Sequence, residues 1–287
     1  MNDRSRRFAK WHLCLAVTGA VIAGLVTALI VSLQTGQSRN SNEHRERRLR
    51  ALVTEGLALT DDRTAIPICF GPTTDIFPQE WLLPPHNAKA GQLLPPERER
   101  AVSAIRSAMM KYPPSLLAGN VRAVYIVRSL EFDGISAGAT NSADEVYIAD
   151  DEVQQGFTDE WLERAFHHEF SSILLRNYEG SFREADWLAA NPAGFRYGES
   201  GVDSIKAGRA SEEPVPEQHQ QGFLHEYGRG ALEDDFNSFA ESLFSNSRDF
   251  WKAVDRFEGV RKKTQLAIEF YHSLDPSFTE AMFRNLD

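Results

Sequence analysis

The sequence predicts an α+β domain set behind a single membrane-spanning helix. Three observations predict it. Leu13–Leu33 is a run of 21 residues without a charge, which at helical rise spans about 30 Å, the thickness of a bilayer core. Two short β-rich runs, Ala123–Val127 and Glu145–Ala149, lie in the middle of the chain. Several segments around them place apolar residues at helical spacing.

Taken in order, residues 1–12 form a basic segment with Arg4, Arg6, Arg7 and Lys10, which favours a cytoplasmic N-terminus. Arg39, Arg45, Arg47, Arg48 and Arg50 follow the apolar run and oppose that bias. The run is long for a secretory signal and no A-x-A site closes it, so 13–33 reads as a retained anchor. Residues 34–48 read as a polar linker and 49–287 as one domain, with a short helix near 49–56. This arrangement suits a bacterial inner-membrane protein with its domain in the periplasm or outside the cell.

Within the domain, Ile66–Phe70 is expected as a short strand, and Pro67 suggests a sheet edge. Pro95-Pro96-Glu97 opens a helix to about Lys111, with Val102, Ile105 and Met109 on one face. Thr158 caps the next helix, which runs to about Tyr178 with Leu162, Phe166, Phe170 and Ile173 as its apolar stripe. Residues 179–222 look loop-rich. Asp234–Ser245 is expected as a helix with Phe236, Phe239, Ala240 and Leu243 buried, and a final amphipathic helix covers about Arg248–Leu274.

Composition narrows the function. Residues 51–287 carry 22 basic and 38 acidic side chains, a balance of −16. A surface this negative repels phosphate backbones and speaks against nucleic-acid binding. Cys69 is the lone cysteine of the domain, which excludes an intramolecular disulfide and a thiolate zinc cluster. Neither a G-x-S-x-G elbow nor a Walker-type loop is present.

The most telling stretch is His168-Glu169-Phe170-Ser171-Ser172. An H-E-x-x-H motif sets two histidines one helical turn apart, so that both imidazoles reach one metal. His168 and Glu169 supply the first half, and Ser172 stands where the second histidine belongs. His167 sits about 100° around the helix and cannot replace it on a regular helix. Downstream, Gly222-Phe223-Leu224-His225-Glu226-Tyr227 leads into Glu233-Asp234-Asp235-Phe236-Asn237-Ser238-Phe239-Ala240-Glu241.

This order of strand, His-Glu helix, variable loop and acidic helix over about residues 120–250 resembles the zincin-like zinc-binding metallopeptidases of bacterial cell envelopes. The resemblance implies a zincin-like α+β domain with a small mixed sheet and an active-site helix. It implies zinc as cofactor, His168 as first ligand and Glu169 as the base that takes a proton from metal-bound water. For the acidic ligand, matching Asp234-Asp235-Phe236 to the family's E-D-F picks Asp234. Matching Phe239-Ala240-Glu241 to F-A-E puts Asn237 at the ligand position and Glu241 in a supporting role. His225, then His219, are the histidines closest in sequence that can stand in for the missing one.

Two functions follow. One is a membrane-anchored, zinc-dependent hydrolase of peptide bonds with an atypical ligand set. The other is a catalytically inactive zincin-like binding or scaffolding module of the cell envelope, with a peptide or protein as partner.

Overall fold

The computed structural model describes residues 43–71, 75–151, 156–198, 208 and 211–286. The basic segment 1–12 and the anchor expected over 13–33 lie outside the described residues. Among the described residues no helix is long and apolar enough to cross a membrane. The chain divides into two units, Met1–Ala51 and Leu52–Asp287. Of the first, residues 43–51 are described, and they are helical. The linker expected to run through residue 48 is therefore helical from 43. Glu43 and Glu46 lie toward its N-terminus and Arg47, Arg48 and Arg50 toward its C-terminus, the order a helix dipole favours.

After the last helical residues, 52–54, the second unit runs through β1 (Ala58–Thr60), β2 (Pro67–Cys69), β3 (Lys89–Gly91), α1 (Arg98–Met110) and α2 (Pro114–Asn120). Next come β4 (Ala123–Val127), β5 (Ser129–Phe132), β6 (Ile135–Ala137), β7 (Ala139–Asn141) and β8 (Glu145–Ala149). The helices α3 (Asp159–Asn177), α4 (Glu184–Ala189), α5 (Pro216–Gln220), α6 (Leu232–Ser245), α7 (Arg248–Arg256), α8 (Glu258–Leu274) and α9 (Glu280–Arg284) follow. The fold is α+β. Its larger sheet is mixed, in the order β1-β2-β4-β8-β7, and β3-β5-β6 form a smaller antiparallel sheet.

The parallel pair β4 and β8, in register from Ala123↔Glu145 to Val127↔Ala149, is the centre of the larger sheet. Both strands are buried along their whole length. Side chains alternate between faces. Val124, Ile126, Val146 and Ile148 join the main core, together with Leu162, Phe166, Phe170 and Ile173 of α3 and Phe236, Phe239 and Leu243 of α6. On the opposite face Tyr125 stacks on Tyr147 at 5.1 Å, and Tyr147 packs with Phe77 and Trp81. Each fully buried aromatic or aliphatic side chain contributes roughly 1.5–3 kcal/mol. The two apolar stripes read from the sequence therefore hold α3 and α6 together.

The structure corrects two local expectations. β2 is not an edge: β1 flanks it on one side and β4 on the other. Pro67 is tolerated because it opens the strand, where its missing N–H costs least. Beyond α1, Pro114 starts α2 from its first position. The final helix is two helices. Phe257 is extended (φ −111°, ψ 121°), and α8 restarts beyond it. Gly259 then lies against Gly222, where an added Cβ would come within 2.9 Å of the Gly222 Cα.

Candidate functional site

Two antiparallel helices build the site. The Thr158 hydroxyl caps α3 by accepting from the Trp161 N–H at 3.2 Å, and Asp159 and Glu160 fill its first turn. α6 begins with Glu233, Asp234 and Asp235 and ends at Asn246, which takes a left-handed conformation at φ 48°. With the apolar stripes facing the core, one polar flank of each helix is left facing the other.

Those flanks meet in rungs four residues apart, the helical repeat. Arg176 pairs with Glu233 at 3.1 Å. One turn along, the Asn237 Nδ2 donates to the Ser172 Oγ at 2.7 Å, and the Ser171 hydroxyl donates to the Asn237 Oδ1. One turn further, the His168 Nδ1 lies 3.2 Å from the Glu241 Oε2, while Arg164 meets the Glu241 Oε1 at 2.5 Å. Ser172 thus has its polar capacity engaged by Asn237. Asn237 is the residue that one of the two sequence matches sets at the acidic-ligand position.

The His168–Glu241 rung is ionic. Burial by itself would lower the His168 pKa, but the hydrogen bond and charge of Glu241 outweigh it and raise it to about 9. Burial would likewise raise Glu241, but Arg164 and His168 hold it down to about 2. At neutral pH the rung is an imidazolium and a carboxylate, and the His168 Nδ1–H donates to Glu241. Glu212 completes the cluster at 3.5 Å from Arg164.

Beside this rung a cleft opens between α3, α6 and the edge strand β7. It consists of two adjoining cavities of about 340 and 410 Å³ that share Ala137, Ala139, His168, Glu169 and Tyr227 as walls. Glu169 accepts a hydrogen bond from the Asn141 side chain of β7, and burial raises its pKa. The Tyr227 hydroxyl donates to the Asp234 Oδ1 at 3.2 Å. Burial lifts Asp234 to about 6 against the opposing charge of His168.

β7 itself has a free side. Its register with β8 sets Thr140 opposite Tyr147. Ala149 N–H donates to the Gly138 carbonyl and Ser142 N–H to the Glu145 carbonyl. Positions 138, 140 and 142 are therefore the hydrogen-bonded ones of the antiparallel ladder. The N–H and C=O of Ala139 and Asn141 point away from β8, and no described strand pairs with them.

The remaining candidates lie elsewhere. His225 is buried, and burial lowers its pKa to about 4. Its Nδ1 accepts from the Gly228 N–H at 3.4 Å, and it lines a separate cavity of about 170 Å³ with His219 and Asp249. Arg164, Glu212 and Glu241 stand between that cavity and the cleft. Asp234 faces the cleft and not the small cavity, so His225, the stand-in expected for the missing histidine, is not brought together with His168 and Asp234. His167 is a core residue: its Nδ1 lies 2.9 Å from the Tyr112 hydroxyl, and its ring stacks on Phe244 at 4.9 Å. Sequence reasoning missed Arg164, Asn141 and Trp81, because none belongs to a motif and each enters the site through a tertiary contact.

The donors do not fit a catalytic zinc ion. Such an ion needs three protein ligands from His, Asp, Glu or Cys around one point. Among the described residues no three such side chains converge. Ser172 and Asn237 engage each other, and Glu241 is engaged by His168 and Arg164.

Fold and site together define an α+β protein with a mixed sheet, whose edge strand flanks a carboxylate-lined cleft. No protein-family model matches the chain, and no curated protein or solved structure matches it.

Proposed function

We propose that this chain is a zincin-like binding module that holds an extended peptide in a metal-free cleft, the non-catalytic of the two functions raised by the sequence. The Ser172–Asn237 hydrogen bond carries the reading. It joins the position that the zincin pattern gives to the second histidine with the one that the Phe239-Ala240-Glu241 match gives to the acidic ligand, and it turns them into an interhelix contact. His168, Glu169 and Glu241 keep the remainder of the pattern, with Glu241 in the supporting role of a carboxylate behind a histidine.

The free edge of β7 supports a peptide as the ligand. Unpaired N–H and C=O groups at Ala139 and Asn141, set along a cleft, are what strand addition uses. The apolar segment 13–33 would hold the module in a bacterial inner membrane, with the domain outside the cytoplasm.

Ala139→Pro tests the peptide mode. It deletes an N–H that β8 does not use, so the ladder survives while the docking edge loses a donor. Binding of extended peptides to the full chain should fall several-fold, up to about tenfold, for the loss of one such bond. Unchanged affinity in a folded Ala139→Pro protein would sink the strand-addition mode.

A further inference from the structure

We propose that the α6 end of the cleft is a subsite for one cationic side chain, the ammonium of lysine or the guanidinium of arginine, carried by the peptide along β7; this rests on the peptide reading above. The larger cavity, about 410 Å³, lies between two unlike walls. One wall is acidic, with Glu169, Glu233 and Asp234, and the other is aromatic, with Trp81 and Phe132. Its volume falls in the range of about 300–1,000 Å³ typical of small-ligand sites. Trp81 and Phe132 pack edge-on at 5.7 Å, which fixes the aromatic wall.

The charges around this space do not close by themselves. Arg176 neutralises Glu233. His168 is engaged by Glu241, and Arg164 by Glu241 and Glu212. Glu169 and Asp234 receive hydrogen bonds from neutral donors, Asn141 and Tyr227, and the one cationic group acting on both from the cavity wall, His168, is already shared with Glu241.

Asp234 is 9% exposed, and its Oδ2 has no hydrogen-bond partner. A carboxylate in that state is costly to keep unless a charge meets it. An ammonium or guanidinium in the cavity that Asp234 lines offsets this charge and gains the quadrupoles of the opposite rings. The acidic balance of the whole domain draws cations toward the cleft. A divalent metal ion is a poorer occupant, because among the described residues no three acidic, cysteine or histidine side chains are placed to hold one.

The test uses the full chain and dye-labelled pentapeptides with alanine at every position but the central one, which is lysine, arginine or norleucine. Anisotropy should show the lysine and arginine peptides binding at least about tenfold more tightly than the norleucine peptide, the worth of one charged hydrogen bond. Asp234→Asn, which keeps the shape and the Tyr227 bond, should erase that preference. Equal binding of all three peptides to the unaltered chain, or a preference that survives in both Asp234→Asn and Glu169→Gln, would overturn the subsite while leaving the peptide reading intact.

Butylguanidinium alone, followed by tryptophan fluorescence, separates the two ideas. A saturable response lost in Asp234→Asn upholds the subsite even where no pentapeptide binds, an outcome that defeats only the peptide reading. Identical responses of the unaltered chain and Asp234→Asn overturn the subsite.

Discussion

Asn237 donates a 2.7 Å hydrogen bond to Ser172 across the α3–α6 interface. The residues one turn away on either side, His168 with Glu241 and Arg176 with Glu233, are paired in the same register. Substituting Ser172 in isolation therefore removes one half of a rung. It leaves Asn237, a poor zinc donor, facing whatever is introduced.

Ser172→His alone is expected to bind no stoichiometric zinc, and Asn237→Glu alone likewise. The double change Ser172→His with Asn237→Glu replaces the rung by two ligands on helices already in register with His168. It should take up one zinc, measured by metal analysis after dialysis. The unaltered protein should keep its melting temperature when treated with a chelator. A chelator-sensitive melting temperature, with one zinc per chain before treatment, would contradict the proposed metal-free cleft.

The His168–Glu241 rung sets a pH window. His168 titrates at about 9 in the folded chain against 6.5 for the free side chain, so its contribution is full below pH 6.5 and is lost as pH rises through about 9. Glu241 titrates at about 2 against 4.5, so its contribution is present above pH 4.5 and is lost as pH falls through about 2. Both hold between pH 4.5 and 6.5. Glu241→Gln should lower unfolding free energy at pH 6 by roughly 2–4 kcal/mol, as breaking a buried ion pair does. It should also flatten the decline between pH 7 and 9.5 in urea titrations. A decline of unchanged slope would assign that titration to another group.

Asp234 has the opposite sign. Its folded pKa of about 6 exceeds the reference 3.8, so ionisation costs nothing below pH 3.8 and its full amount above about pH 6. Asp234→Asn should stabilise the unliganded chain by roughly 1–3 kcal/mol at pH 7.5 and leave it unchanged at pH 3.5. Chemical denaturation at the two pH values decides. Destabilisation at pH 7.5 would mean that the carboxylate is already compensated.

Lys263 and Asp235 form a second, fully buried pair at 2.6 Å. Trp187 and Tyr197 also donate to the same Asp235 oxygen, at 3.0 and 2.5 Å. Lys263→Met strands a carboxylate in the core and should cost about 3–5 kcal/mol. Lys263→Met with Asp235→Leu should recover part of that loss, and only part, because Trp187 and Tyr197 then lack an acceptor. A double variant no more stable than the single one would show that Asp235 serves mainly those two donors.

Much of the helical frame was legible in the sequence, and so was the pair of long central strands. The stripe Leu162, Phe166, Phe170 and Ile173 and the stripe Phe236, Phe239, Ala240 and Leu243 announce their helices through a period that burial enforces. The strands β5, β6 and β7 are three or four residues long and show no clean alternation. Their pairing comes from hairpin register, which depends on contacts made after the chain has turned back. For the same reason β7, the edge on which the proposed ligand lies, was invisible beforehand.

By itself the sequence determined which side chains share a helix face: His168 with Ser172, and Asn237 with Glu241. Helical periodicity is a local property, and no partner is needed to define it. Only the tertiary structure decided what those faces meet. It set Ser172 against Asn237, gave Glu241 to His168 and Arg164, and turned His225 into a different cavity from Asp234. The packing register of two helices and the exit angle of one loop fix those choices. Both are set by the core as a whole, so a motif with one ligand missing in the sequence became, in the folded chain, a closed polar seam beside an open acidic cleft.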